Sequence, residues 1–192
     1  ELGALTVDET VSGREGGATS EPAQDFTLRQ SGEISIEGPG ARAWQITMLP
    51  DAAPQIERLG PPEVTALGEM SLPFAARDDY GVEAGEARIS LDLASVDRRY
   101  GLTIDPDTRP EIVVPLPMPI TGDRRDFEES LIENFSKHPW ANLPVSLELS
   151  VLDAAEQQAV TEVSQLTLPG RRFFDPAAAA VIEMRRDLLW SR

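Results

Sequence analysis

The 192-residue sequence has no cysteine, one histidine and one lysine. Without cysteine there is no disulfide and no thiolate metal site. A reducing cytoplasm and a periplasm that needs no cross-links both remain open. The lone His138 has no other nitrogen or sulfur donor near it in sequence to complete a zinc site, and no serine–acid pair to complete a hydrolytic triad. No apolar run approaches the roughly 20 residues that span a bilayer. No glycine loop sits between a strand and a helix to cradle phosphate, since Gly13, Gly16 and Gly17 fall in a polar stretch. Positive charge is scarce too: 17 basic against 33 acidic residues leave a net charge of −16. Such a surface repels phosphate backbones and argues against nucleic acid as a partner. The sequence opens on Glu1 without a leader and closes inside a helical pattern, so it reads as a piece of a longer protein.

A hydrophobic content of 41% excludes wholesale disorder, and sixteen prolines with fourteen glycines punctuate many short alternating runs. That combination predicts an all-β fold. The clearest stretch is Met70, Leu72 and Phe74, then Arg77-Asp78-Asp79-Tyr80-Gly81, then Val82, Ala87, Ile89, Leu91 and Leu93. Period two on both sides of an Asp/Gly turn predicts strand, turn, strand. Leu5 and Val7, Phe26 and Leu28, Ile34 and Ile36, and Ala43 to Met48 give three or four further strands. A hairpin turn is expected at Ser31-Gly32. Ser12–Asp25 reads as a loop, Pro54–Pro62 as a stiff connector, and 94–110 as a long loop. Ile112 to Met118, with proline at 115, 117 and 119, reads as an edge strand because the missing donors all point one way. Phe127, Leu131 and Phe135 lie four apart, with Ile132 widening the stripe and Asp126 and Glu129 resembling a capping box. This predicts a helix over 126–137. Val145 to Val151 and Val160 to Leu168 predict a β-hairpin. Asp175-Pro176 opens a C-terminal helix with Ala177, Val181, Met184 and Leu188 on one face.

The resulting expectation is tandem immunoglobulin-like β-sandwich modules. Residues 1–58 form a small or incomplete module, 59–170 a second one with the short helical insertion, and 171–192 the start of a C-terminal helix. Few residues stand out as chemical groups. His138, between Lys137 and Pro139, is expected to cap carbonyls or meet solvent. Asp78, Asp79, Asp105 and Asp107 are the most calcium-like set, yet turn-forming aspartates read the same way. Trp44, Tyr80, Trp140 and Trp190 suit sugar stacking if exposed and core packing if not. Phe173 and Phe174 cannot face the same way and read as a hinge anchor. Arg171-Arg172 with Arg185-Arg186 suit an acidic or anionic surface, or a solvated face. No catalytic, cofactor or metal residue is assigned.

Taken together, Trp44, Leu49-Pro50-Asp51, Arg77-Asp78-Asp79-Tyr80-Gly81-Val82, Phe127 to Pro144, Leu168-Pro169-Gly170-Arg171-Arg172-Phe173-Phe174-Asp175-Pro176 and Arg185 to Arg192 are familiar. The pattern resembles an uncharacterised family of large, membrane-anchored alphaproteobacterial proteins with a domain of unknown function. The resemblance covers the chain from Trp44 onward and is strongest in the final segment. It implies a periplasmic β-module region lying between a transmembrane anchor and a glutamine-rich helical tail, and it carries over no catalytic residue. The function expected is a non-enzymatic interaction or spacer module at the periplasmic face of the inner membrane. Its partner would be another envelope protein or the rest of its own chain, with membrane contact only through regions outside this stretch. The alternative is a ligand-binding module for calcium or a cell-wall glycan.

Overall fold

The computed structural model describes residues 6–13, 25–96 and 109–190. Asp105, Asp107, Gly16 and Gly17 lie outside the described residues, as do parts of both loops expected around them. Two compact units divide between Pro50 and Asp51.

In the first unit, β1 (Thr6–Glu9), β2 (Gly32–Glu37) and β3 (Arg42–Ile46) form an antiparallel sheet in that order. The turn falls at Gly38-Pro39-Gly40, where both glycines take positive φ (132° and 90°), so β2 pairs forward with β3. The hairpin expected at Ser31-Gly32 does not form. Residues 25–29 are not a strand, and the Arg29 and Gln30 amides donate instead to the Val11 carbonyl. Val11 is the one buried apolar side chain among this unit's described residues. This unit is thus a single three-stranded sheet over a very small core among its described residues.

The second unit is a β-sandwich. One sheet has β6 (Glu69–Arg77) at its centre, flanked on one side by β9 (Asp126–Asn134). On its other side lie β4 (Gln55–Arg58) and β5 (Glu63–Val64), which share that edge as a split strand. In the other sheet β10 (Pro144–Asp153) pairs with β7 (Val82–Leu91), and β7 pairs with the edge strand β8 (Ile112–Pro115). β11 (Gln158–Val160) and β12 (Ser164–Thr167) form a second split strand on the far side of β10. Two sheets so ordered have the connectivity of an immunoglobulin-like sandwich.

Alternation fills the space between the sheets. Met70, Leu72, Phe74 and Ala76 face Val145, Leu147, Leu149 and Val151 across one core that also takes Val82, Ala87, Ile89, Leu131 and Leu168. Each fully buried large side chain contributes about 1.5–3 kcal/mol. Phe74 and Phe127 meet edge to face at 6.3 Å. β8 is the edge strand that its prolines announced.

Two further expectations are corrected. The boundary falls after residue 50 rather than 58, because Gln55–Arg58 is not a connector but β4, paired with Phe74–Arg77. The helix expected over 126–137 is instead strand β9 followed by a turn. Four is an even number, so Phe127, Leu131 and Phe135 share one face of a strand as readily as one stripe of a helix. The same-face positions between them, opposite Phe74 and Met70, are Glu129 and Glu133, both half-buried. Inward charge of this kind suits an edge strand, where it discourages further pairing. Asp126 caps nothing and meets Arg77 instead, Oδ1 to Nε at 3.1 Å.

α1 (Pro176–Trp190) is the C-terminal helix that the sequence predicts. It starts as expected, with Asp175 Oδ1 accepting from the Ala177 amide at 2.8 Å. Its apolar face, however, is turned outward: Val181, Met184 and Leu188 are 62%, 64% and 70% exposed. The small residues Ala178 and Ala179, with Ile182, form the half-buried side.

Candidate functional site

The two ends of the second unit carry clefts of opposite character, one lined by carboxylates and one mainly by cations. Asp78 follows β6, and Asp153 ends β10 opposite Val82, so both lie where β6 hands over to β7. The other end gathers the residues that precede β6, follow β9 and follow β12. A Cβ on Gly68 would lie 2.8 Å from both the Gly170 carbonyl carbon and the Ser136 side chain.

At the first end, Asp78, Asp153, Asp51 and Tyr80 line a cleft of about 330 Å³. Asp78 Oδ2 accepts from the Tyr80 and Gly81 amides at 3.1 and 2.6 Å, and Gly81 takes φ 112° to make the turn. This is the aspartate turn the sequence predicted. Asp153 makes its own turn, with Oδ1 accepting from the Ala155 and Gln157 amides at 2.8 Å each. Asp51 Oδ2 accepts from Gln157 Nε2 at 2.8 Å. Asp78 and Asp153 are 6% and 2% exposed, and Asp78 Oδ1 and Asp153 Oδ2 have no protein hydrogen-bond partner. Oxygen donors in this setting suit a hard cation over an anion. No three carboxylates or imidazoles converge as a metal cage among the described residues. Asp79 is exposed and lines no part of this cleft, and Asp105 and Asp107 lie outside the described residues. Asp78 is instead brought beside Asp51 and Asp153.

At the second end, a cleft of about 260 Å³ runs between the turn after β9, the segment after β12 and α1. Lys137, His138, Arg171, Arg172, Arg185 and Glu183 line it. The chain's one lysine and one histidine thus meet three of its sixteen arginines. His138 neither caps a helix nor stands free in solvent. Its Nδ1 accepts from the Trp140 amide at 3.1 Å, and its ring lies edge-on to Trp140 at 5.0 Å. With Nδ1 accepting, the neutral ring carries its proton on Nε2. Burial, and secondarily the charge of Arg109, hold its pKa below the ordinary histidine range.

The aromatic candidates separate. Trp140 is core at 3% exposure, while Trp44 in the first unit and Tyr80 in the second are exposed. Phe173 is half-buried beneath the Arg171 guanidinium at 6.0 Å, and Phe174 is 89% exposed.

Comparison with known families bears on the whole chain, because the family described as Domain of unknown function (DUF4175) matches residues 2–192. The chain belongs to the DUF4175 family. That match runs through the first forty residues, where the motifs quoted above are sparse. No curated protein matches this DUF4175 chain. Neither cleft was visible in the sequence as a unit. Asp51, Asp78 and Asp153 are spread over most of the second unit's length, and Lys137 and Arg185 over about a third of it. The available signal was the strand register, which sets the β6–β7 turn beside the end of β10.

Proposed function

We propose that this chain is a non-enzymatic interaction and spacer module of a larger, membrane-anchored envelope protein, held at the periplasmic face of the inner membrane. Its partner is another envelope protein or a further part of its own chain. The observation that carries this reading is the orientation of α1. A helix that served only to close the sandwich would bury most of its larger apolar residues, whereas this one half-buries Ala178, Ala179 and Ile182 and offers Val181, Met184 and Leu188 outward. The sandwich beneath it, with an apolar core contributed by both sheets, suits a rigid mount. Sequence resemblance supplies the envelope setting.

The test is a triple substitution, Val181→Glu, Met184→Glu and Leu188→Glu, in the full-length protein. All three sites are exposed, so the sandwich should melt within a few degrees of wild type. Site-specific crosslinks from position 184 to its partner in envelope fractions should disappear. Crosslinks that survive the triple substitution would remove the interaction surface from this helix. Resistance to protease in spheroplasts would overturn the periplasmic placement.

A further inference from the structure

We propose that the cleft between α1 and the turn after β9 binds a phosphate-bearing group, from a soluble phosphate or from a lipid headgroup. Four permanent cations, Lys137, Arg171, Arg172 and Arg185, line it in a chain where acids outnumber bases by 33 to 17. In such a chain a cation has many carboxylates within reach. Arg77 and Arg88 take them, and Arg58 and Arg124 donate to Ser164 Oγ and the Glu83 carbonyl. Among the described residues the four cleft cations form no ion pair or side-chain hydrogen bond; Arg29, Arg42 and Arg125 form none either, and what distinguishes the four is that they line one cleft. Glu183 lines the same cleft without closing a salt bridge to any of them. The four are exposed, so water and salt screen much of their mutual repulsion, and an anion held among them offsets the rest.

The cations are also mounted on fixed backbone. The Arg172 amide donates to the Ala66 carbonyl at 3.2 Å. Gly170 fits so closely that a Cβ there would lie 2.5–2.7 Å from the Asn142 side chain. A guanidinium fork matches two phosphate oxygens at once, whether in a soluble monoester of about −1.5 to −2 charges or in the singly charged diester of a lipid headgroup. His138 adds its Nε2–H as a neutral donor. The −16 charge of the whole chain opposes long-range attraction, so affinity must come from these local contacts.

Calorimetry of the folded chain with inorganic phosphate and with glycerol phosphate, alongside co-sedimentation with vesicles of phosphatidylcholine alone or mixed with phosphatidylglycerol, tests the proposal. Saturable heat with the soluble phosphates supports the soluble source. Pelleting with phosphatidylglycerol vesicles but not with phosphatidylcholine supports the headgroup source. In either arm, Arg171→Gln with Arg172→Gln should weaken binding by roughly tenfold or more. Arg42→Gln, an equal change per site in the other unit, should leave binding unchanged. Lys137→Gln serves as the second variant should the double one melt early. No binding in either arm overturns the proposal, as does equal weakening by Arg42→Gln, which would reduce the effect to overall charge.

Discussion

Leu131 and Ile132 are neighbours on β9 whose fates should differ sharply. Leu131 is 2% exposed and sits opposite Leu72, which is fully buried. Ile132 is 59% exposed and sits opposite Ser71 on the outer face. Truncating Leu131 to alanine removes buried methyl groups and leaves a cavity, at a cost of about 2–5 kcal/mol. For a protein of this size that is a fall in Tm of roughly 4–20 °C, at about 2–4 °C per kcal/mol. Ile132→Thr keeps a β-branched side chain on a solvated strand surface and should stay within about 0.5 kcal/mol of wild type. A helix over the same residues would place both side chains in the apolar stripe with Phe127 and Phe135, and both substitutions would then be costly. Urea denaturation followed by the fluorescence of Trp140, 3% exposed in the same core, measures the two values. A background of Trp44→Phe and Trp190→Phe isolates that signal from the other tryptophans. Should Ile132→Thr cost as much as Leu131→Ala, β9 and its pairing with β6 are wrong.

Two further outcomes follow from the second end of the sandwich. Gly68 holds φ +85° and its missing Cβ would lie 2.8–2.9 Å from Gly170, Ser136 and the Arg171 amide, so Gly68→Ala combines backbone strain with overpacking. It should cost at least about 2 kcal/mol in the same urea assay, and an unchanged midpoint would refute this packing. His138 has a folded pKa depressed below its ordinary 6.5, so the unfolded chain takes up its proton first. Its contribution is therefore complete above pH 6.5 and is lost as pH falls through the lower folded pKa, when protonated Nδ1 can no longer accept from Trp140. Measured by Tm between about pH 7.5 and about pH 5.5, wild type should lose more stability than His138→Gln. Equal losses would show that the ring titrates alike in both states.

Most of the sandwich was legible from local alternation. Met70 to Phe74, Val145 to Val151 and the prolines after Val114 carry their strand identity in side chains two apart, because a sheet with one buried face imposes that period on its sequence. The Asp78 turn and the Asp175-Pro176 helix start were legible for a similar reason, since each is a hydrogen bond between residues two or three apart. Three matters depended on residues distant in sequence. Phe127, Leu131 and Phe135 fit two periods, and only the ladder against Glu69–Arg77 makes them a strand. The Ala177–Leu188 stripe marks a helix without saying which side meets the sandwich; small residues were chosen where the chain leaves β12 closely packed. One cleft exists because antiparallel register sets the turn holding Asp78 beside Asp153, the other because packing of the two sheets and α1 brings Lys137 to Arg171, Arg172 and Arg185. Charge along a sequence adds to a net value, whereas the field in a cleft depends on which charges tertiary packing makes neighbours.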